Sequence, residues 1–266
     1  MNMVTIRASA LSTLFDCPAR FEAVHLLGMK TPASGAARLG TAIHASTALF
    51  DESRLPGGNP LTADDCAGAL VDAIHKPDED VDWEETRPQD AEKIGLALHS
   101  RYCAEIAPHQ DYVGVEITCE KLEIPDIGIA LTGTTDRIRR LPDGSLGIAD
   151  LKSGGRSVGA DGRAVTAGHG PQMGVYELLA ETVVGEAITA PAQIIGLNTG
   201  KTPAAQRVGT GEILNARAVL VGDDESPGLL EHASRIIHSG TFFGNSKSVL
   251  CSARYCPRFN TCKFRG

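Results

Sequence analysis

The sequence predicts an α/β protein, with α+β as the alternative arrangement. Three observations lead to this class. Apolar residues recur at helical spacing before residue 51, strand-like apolar runs follow between residues 112 and 200, and helical spacing returns near the C-terminal end. The 266 residues are 42% hydrophobic and 22% charged, so the chain can bury a sizeable core as one large domain.

Charge and hydropathy exclude several classes of protein. The formal net charge is −8 and the pI about 5.5, so the chain lacks the global positive field of many nucleic-acid binders, although a local basic groove is compatible with it. No apolar run approaches the ~20 residues of a membrane span, and the first ten residues lack the apolar core of a signal peptide. We therefore expect a cytoplasmic protein without a membrane partner, in which cysteines are thiols or metal ligands.

Two helices are predicted before residue 51. Ser9 is the expected N-cap of the first, which the Cys17-Pro18 pair interrupts. The second covers residues 38–50, is rich in small residues, and places Gly40 and His44 one turn apart. A lone histidine on such a helix is most simply a packed, hydrogen-bonded residue.

The next stretch, residues 51–110, differs from the preceding helices in composition and in the pattern of its apolar residues. It combines a Pro/Gly loop, short helical patterns and an acidic tract, so we expect a helical insertion at the surface. Residues 112–117 then predict a strand in which Glu116 is the one charged residue. Its carboxylate is either solvated at a sheet edge or directed at a neighbouring metal site, and the sequence favours neither.

The centre of the predicted core, which spans residues 112–200, is a pair of strands joined by a Leu-Pro-Asp-Gly turn. The first strand carries Asp136, and the second carries Asp150 and Lys152. Residues two apart on a strand share a face, and hairpin pairing brings the two aspartates together. Adjacent carboxylates repel each other, and a hard divalent cation such as Mg²⁺ or Mn²⁺ relieves that repulsion. After a Gly-rich loop, a helix places Gln172 and Tyr176 on one face.

The cysteines predict a second metal site. Three of them fall within twelve residues near the C-terminal end, whereas Cys66, Cys103 and Cys119 are isolated and are expected to be packing residues. A closed site usually has four ligands, and Cys17, beside a proline at a helix break, is the best candidate for the fourth. The expected clasp holds a [4Fe–4S] cluster or Zn²⁺, with free thiols as the alternative; its ligands are Cys17, Cys251, Cys256 and Cys262.

In their order and spacing these motifs resemble the PD-(D/E)xK nuclease superfamily. Within it they are similar to the RecB-like branch that carries an iron–sulfur cluster: the CRISPR-associated four-cysteine exonucleases, their phage relatives and the AddB nuclease domain. Two departures are a Thr-Asp in place of Pro-Asp at Asp136 and four residues, instead of two, between Cys251 and Cys256. The matching stretches are S-A-L-S-T-L-F-D-C-P-A-R-F, L-G-T-A-I-H, G-T-T-D-R-I, I-A-D-L-K-S-G, Q-M-G-V-Y and the three C-terminal cysteines.

The resemblance implies a restriction-endonuclease-like core, a mixed central sheet flanked by helices, with a helical N-terminal part and a cysteine-clasped C-terminus. A single RecB-like nuclease domain over residues 1–266 is expected, containing the insertion, the catalytic core and the clasp described above. The implied chemistry is metal-assisted hydrolysis of phosphodiester bonds. Asp136, Asp150 and the Leu151 carbonyl are implied ligands of Mg²⁺ or Mn²⁺, with His44 as a further ligand, which reverses the simpler interpretation of that histidine.

Other residues receive roles from the same resemblance. Lys152 is implied to position or deprotonate the attacking water, and Glu116 to act through the metal or a bound water. Gln172 and Tyr176 are implied to hold the site or the DNA strand. Five arginines near the carboxylate strands are candidates to contact phosphates, each with ordinary surface charge as the simpler explanation: Arg137, Arg139, Arg140, Arg156 and Arg163.

The resemblance therefore implies a DNA exonuclease acting on single strands or ends in recombination, repair, or phage or CRISPR DNA processing. Its implied partners are DNA and, in some pathways, a helicase or CRISPR adaptation proteins; if the chain is phage-encoded, it acts in the host cytoplasm. The alternative is an accessory module that binds DNA ends without catalysis in a recombination or spacer-acquisition complex. A metal-clasped protein unrelated to nucleases is a third hypothesis. The intact set of Asp136, Asp150 and Lys152 favours activity.

Overall fold

The central feature of the fold is a six-stranded mixed sheet between two layers of helices. The computed structural model describes residues 2–265, so Met1 and Gly266 of the expected domain lie outside the described residues. The arrangement confirms the predicted α/β class with a mixed, helix-flanked sheet. The strands are β1 (Val4–Arg7), β2 (Ala33–Ser34), β3 (Val81–Asp82), β4 (Tyr112–Ile124), β5 (Ile129–Arg140), β6 (Leu146–Gly154), β7 (Ala192–Asn198) and β8 (Val208–Ile213).

The helices lie on both sides of this sheet, as the sequence predicted. Between residues 2 and 265, no helix is both long and apolar enough to cross a membrane. The α-helices are α1 (Ala8–Asp16), α2 (Pro18–Phe21), α3 (Gly35–Glu52), α4 (Ala63–His75), α5 (Pro88–Arg101), α6 (Gly170–Val184), α7 (Ala216–Val221) and α8 (Leu229–Ser239), with π-helical turns at Glu22–Leu26 and Tyr102–Ile106.

Strand β5 is the hub of the sheet. One of its edges pairs antiparallel with β4. Its other edge is shared, because β1 pairs parallel with residues 129–132 and β6 pairs antiparallel with residues 137–140. Beyond β6, the sheet continues with β7 in parallel and β8 in antiparallel orientation. Between its two partners, β5 has a short stretch, residues 133–136, at which β1 and β6 diverge.

Two hydrophobic cores hold the layers together. The first lies under α1, α6, α7 and α8, and the second under α3, α4 and α5. Side chains alternate between them along β6, where Ile148 packs in the first core and Ala149 and Leu151 in the second. Asp150 and Lys152 therefore leave β6 on the side of α6.

The insertion, residues 51–110, was expected at the surface, but it also supplies buried side chains to the second core. Leu70, Leu98 and Tyr102 are fully buried and complete the second core together with α3. Its β3 also pairs in parallel with β2, directly before α3 begins. Residues 51–110 thus support the helix that carries His44.

The sequence patterns missed the strands β1, β2, β3 and β8 and several element boundaries. Strand β1 has only four residues, with Ile6 as the one buried side chain, so it gives no periodic signal. Strand β8 contains Gly209 and Gly211, which weaken the strand pattern; a Cβ at Gly209 would lie 2.2 Å from the Gly162 carbonyl oxygen of the loop that crosses there. The first helix begins at Ala8 rather than after Ser9.

Candidate active site and cysteine cluster

The candidate active site lies where β1 and β6 diverge along β5. Pairing between β5 and β6 extends only to Arg137 and Ala149, among the residues that the structure describes. At the next position the Asp136 side chain takes over, and its Oδ2 accepts a hydrogen bond from the Leu151 N–H at 2.8 Å. A carboxylate thus occupies the gap in the sheet and lies next to Asp150.

Three metal-ligand groups converge at this gap. The nearest ligand atoms of His44, Glu116 and Asp136 all lie within 4.8 Å of one another. The imidazole of His44 spans two of the expected ligands, with Nδ1 3.4 Å from Asp136 Oδ2 and Nε2 3.1 Å from the Leu151 carbonyl oxygen. The side chain is half-buried and hydrogen-bonded, as the simpler interpretation required, and it also faces the carboxylates.

Helix α3 places the histidine by approaching β6 closely. Its N-terminus is capped by Ser34, whose Oγ accepts a hydrogen bond from the Ala37 N–H at 3.1 Å. One turn before His44, a Cβ at Gly40 would lie 2.6 Å from Ser153 Oγ, so the absence of a side chain allows helix and strand to approach. His44 then reaches the Leu151 carbonyl.

Asp150 and Lys152 form a pair on the neighbouring strand. Asp150 is 1% exposed, and its Oδ2 forms an ion pair with Lys152 Nζ. Among residues 2–265 the Lys152 ammonium is the one partner of that oxygen. Burial, and then the charge of Asp136, raise the pKa of Asp150 to about 6. A buried carboxylate next to a second carboxylate, with a single ammonium as its partner, suits a divalent cation.

Glu116 lies opposite Asp136 on the other neighbouring strand. Its neighbours Val115 and Ile117 pair with Arg137 and Thr135. Its φ of 49° is left-handed, which is rare for a residue other than glycine. Burial, and then the charge of Asp136, raise the pKa of this carboxyl. The structure places the carboxylate beside His44 and Asp136, with 44% of the side chain exposed, so features of both interpretations left open by the sequence are present.

Gln172 and Tyr176 form a buried pair on α6. The Gln172 side-chain amide donates to Tyr176 Oη at 3.0 Å. The tyrosine ring packs on β5, where a Cβ at Gly133 would lie 2.8 Å from its Cε1. Burial raises the pKa of Tyr176, so the phenol stays neutral. This pair borders the carboxylates from the side of α6.

The five arginines divide into two groups. Arg137 is 0% and Arg139 7% exposed, so neither contacts a phosphate at the surface, and that expectation is wrong for both. Arg139 donates to the Pro191 carbonyl at 2.8 Å. The partners of Arg137 are internal and are described below. The remaining three are at least partly exposed: Arg140, Arg156 and Arg163.

Two features near the site carried no usable signal in the sequence. Asp51, at the start of the acidic insertion, is 2% exposed and pairs with Arg137. His169 precedes α6 in the Gly-rich loop, and burial, and then the charge of Lys152, lower the pKa of His169 to about 4. A neutral imidazole therefore lies near the Lys152 ammonium. Neither placement follows from local spacing.

The four cysteines of the expected clasp line one cavity of about 20 Å³. The Asn245 N–H donates to Cys17 Sγ at 3.4 Å. Desolvation, and then the charges of the other three thiols, raise the pKa of Cys251. Four sulfurs gathered around one cavity suit a positively charged metal centre.

The spacing of the sulfurs bears on which centre fits. Within residues 2–265, no three cysteine sulfurs lie within 4.8 Å of one another. Zinc bonds of ~2.3 Å in a tetrahedron bring sulfurs to roughly 3.8 Å. The sulfurs therefore lie further apart than a single zinc ion would hold them. The isolated cysteines behave as expected in part, since Cys66 and Cys119 are buried and Cys103 is half-buried.

The clasp also has contacts that need no metal. The Ala19 N–H donates to the Phe243 carbonyl at 2.9 Å, and Ser248 Oγ donates to the Asp16 carboxylate at 2.6 Å. Arg254 pairs with Asp82 of β3 at 3.5 Å. The C-terminal segment is thus tied both to α1 and α2 and to the insertion.

Comparisons with known proteins show which family the sequence matches. The model of the PD-(D/E)XK nuclease superfamily matches residues 5–263. Among solved structures, one described as "Crystal structure of SSO0001" is similar over 97% of this chain and 85% of that chain, at 14% sequence identity and a TM-score of 0.43. No curated protein matches the sequence.

Proposed function

The chain belongs to the PD-(D/E)XK nuclease superfamily, and we propose that it is a DNA exonuclease acting on single strands or ends. Membership indicates a metal-dependent nuclease. The observation that carries the proposal is the convergence of His44, Glu116 and Asp136 beside the buried Asp150–Lys152 pair. That arrangement combines a set of metal ligands with a cation, which phosphodiester hydrolysis requires.

The proposed metal ligands come from three strands and one helix. Asp136 and Asp150 provide carboxylates, Leu151 its carbonyl and His44 its imidazole, with Glu116 as a ligand directly or through water. Mostly oxygen donors with one imidazole suit Mg²⁺ or Mn²⁺. When bound, such an ion lowers the pKa of water and offsets negative charge on the phosphate oxygens.

Lys152 is the proposed catalytic cation. Its ammonium is held by the buried Asp150 carboxylate and is 24% exposed as a side chain, so it can face substrate. In that position the ammonium orients the attacking water and stabilises negative charge on the phosphate in the transition state, whereas only the neutral amine form can accept the proton of that water. Asp150 thereby has two proposed roles, as a metal ligand and as the group that fixes the lysine.

The DNA strand is proposed to lie along the edge bordered by α6. Tyr176 and Gln172 are buried and bonded to each other, so their proposed role is to hold the site rather than to contact the strand. Arg140, Arg156 and Arg163 supply exposed positive charge in an otherwise acidic protein, as phosphate contacts require. Intact ligands and an intact lysine favour this catalytic function over that of a non-catalytic DNA-end-binding module.

We further propose the RecB-like branch and a [4Fe–4S] cluster held by the four clasp cysteines. The shared cavity, the wide sulfur spacing and the N–H donor to Cys17 support the cluster over Zn²⁺. When bound, the cluster links the N-terminal helices covalently to the C-terminal segment. A reducing cytoplasm, with a helicase or a recombination or CRISPR adaptation protein as partner, is the proposed setting.

Cleavage of end-labelled DNA tests the catalytic site. Protein purified without oxygen is incubated with Mn²⁺ and single-stranded, double-stranded or circular DNA. We expect the wild type to degrade linear single strands fastest and to spare circles, and Asp150→Ala to be inactive. Asp126→Ala, which removes an exposed carboxylate away from the gap, is the matched control and is expected to match the wild type. Equal product from wild type and Asp150→Ala would contradict the assignment of the site.

Metal analysis tests the clasp independently. We expect about four iron atoms per chain and a visible charge-transfer absorbance, since a [4Fe–4S] cluster has both. One zinc per chain without iron would replace the cluster by a zinc site.

A further inference from the structure

We propose that Arg137 is a positioning residue for the metal site, because its buried guanidinium holds the Glu116 carboxylate beside His44 and Asp136. The inference rests on the proposed metal site and adds to it a residue that contacts neither metal nor DNA. It also explains why an arginine at this position is 0% exposed.

One edge of the guanidinium is anchored in the second core. Arg137 Nε donates to Asp51 Oδ2 at 2.7 Å, and both side chains are buried. The same oxygen of Asp51 accepts a hydrogen bond from Tyr102 Oη at 2.5 Å, and Tyr112 Oη lies 3.1 Å from that phenol. The anion is therefore fixed by two donors, and it fixes the orientation of the arginine in turn.

The opposite edge of the guanidinium faces the site. Nη1 donates to the Asp136 carbonyl at 2.7 Å and to Glu116 Oε1 at 3.3 Å. Nη2 lies 3.4 Å from Thr47 Oγ1, on the helix that also carries His44. A planar group with several fixed donors can connect these atoms at once, whereas a lysine ammonium cannot. Helix α3 and strands β4 and β5 thus meet at one side chain.

Two observations make Glu116 the residue that needs this support. Its left-handed backbone, at φ 49°, is a conformation that persists only where the surroundings stabilise it. Its carboxylate also faces the like charge of Asp136. Among the ion pairs of residues 2–265, Arg137 is the cation that joins Glu116 to the core.

The pair with Asp51 also limits the electrostatic repulsion between Arg137 and a bound divalent cation. A free guanidinium near a divalent cation would repel it. The buried Asp51 carboxylate balances that charge, so Arg137 contributes directed donors with little net charge. The arrangement is that of an outer residue that orients a ligand, and loss of such a partner typically weakens metal binding by roughly 10–100-fold.

The test measures Mn²⁺ affinity by calorimetry on the full chain, with Tm recorded for each variant. Removing only the arginine would leave Asp51 buried without a partner and endanger folding. The main variant is therefore Arg137→Met with Asp51→Leu, which removes both charges. We expect it to fold and to bind Mn²⁺ roughly 10-fold or more weakly. Arg137→Lys, which keeps the charge but not the fork, is the second variant and is expected to weaken binding several-fold.

Arg139→Met is the matched control. Arg139 is a buried arginine two residues further on the same strand, and its partners are the Pro191 carbonyl and, at 3.6 Å, Glu212. We expect its loss to lower Tm while leaving the Mn²⁺ affinity within about twofold of wild type. Equal weakening by this variant would mean that any damage to β5 disturbs the site, and would overturn a specific role for Arg137.

A double-mutant cycle with Glu116→Gln tests whether Arg137 affects the Mn²⁺ affinity through Glu116. If Arg137 acts through Glu116, its substitution adds less than about twofold once Glu116 has been neutralised. Full, independent weakening in both backgrounds would overturn the inference. If the wild type does not bind Mn²⁺, the proposed metal site itself is contradicted. If the wild type binds Mn²⁺ and the Arg137 variants bind it equally well, only the positioning role of Arg137 is contradicted.

Discussion

The candidate metal site and the cysteine clasp are built in opposite ways. The metal-site residues come from long elements, α3, β4, β5 and β6, and most of their polar atoms have protein partners. Of the clasp cysteines, Cys17 lies between α1 and α2, and the other three lie in turns and beside one short 3₁₀ turn, Phe259–Thr261, with Cys251 and Cys262 half-exposed. One site is preformed by the sheet, whereas the other has little regular structure of its own.

Because of this difference, we expect substitutions at the metal site to change the reaction rate and substitutions at the clasp to change the free energy of unfolding. A site made by the sheet keeps its geometry when a ligand is changed, so substitutions there alter the reaction rate more than the fold. A site in irregular backbone gains its order from the group it binds, and metal affinity then becomes folding free energy. Each of the following substitutions probes one side of this contrast.

The largest effect is expected for Lys152→Gln. The amide retains an N–H donor for the buried Asp150 but removes the positive charge, so the cleavage rate falls by roughly 10²–10⁴-fold. Tm is expected to shift by only a few degrees. Rates from single-turnover cleavage and Tm from calorimetry check this, with Lys121→Gln, on an exposed lysine of β4, as the control. A large drop in Tm would show that the site is not preformed.

Cys256→Ala is expected to have the largest effect on stability. Loss of a crosslink that closes so long a loop costs roughly 3–5 kcal/mol of unfolding free energy. The Mn²⁺ affinity of the folded protein should stay unchanged. Urea unfolding without oxygen measures the first quantity, with Cys103→Ala, outside the clasp, as the control. Loss of no more stability than in that control would argue against a filled clasp.

Tyr102→Phe is expected to have a smaller effect. It removes one hydrogen bond to the buried Asp51 carboxylate, which costs about 1–2 kcal/mol of unfolding free energy. The Arg137 pair keeps the anion in place, so cleavage falls by less than about threefold. Tyr255→Phe, on an exposed phenol of the clasp, should change the free energy of unfolding by no more than about 0.5 kcal/mol.

The smallest effect is expected for Arg156→Ala. An exposed phosphate contact contributes to DNA affinity equally for all sequences, so its loss weakens binding a few-fold. The slope of log affinity against log salt concentration then decreases by about one. Fluorescence titration of single-stranded DNA at several salt concentrations measures both. Arg235→Ala, on exposed α8, should change neither. An unchanged salt slope in Arg156→Ala would move the DNA path away from this loop.

The sequence anticipated the parts of the site that follow from short-range geometry. Alternation along a strand places Asp150 and Lys152 on one face, and a tight turn brings Asp136 beside them. It also identified the cysteines that line one cavity. These features depend on residues close in sequence or on chemistry too specific to be common by chance.

What the sequence did not provide depends on distant pairing. The gap at Asp136 exists because β1 occupies part of the edge of β5, and a four-residue strand leaves no pattern. Arg137 was a candidate for phosphate contact because it flanks the carboxylate strands, and its partner Asp51 lies in a stretch that composition marks as solvated. A charged residue is buried only when its counter-ion is placed by tertiary structure, and local spacing carries no record of that.

The clasp has a consequence for the order of events during synthesis. At ribosomal rates of about 5–20 residues per second, Cys17 waits roughly 10–50 s for Cys262 to be made. The proposed crosslink between Cys17 and Cys262 therefore becomes available only after the partners of β1, α1 and α2 that precede residue 262 have been made. Chains that stop before residue 262 have the pairing of β1 with β5 without that crosslink.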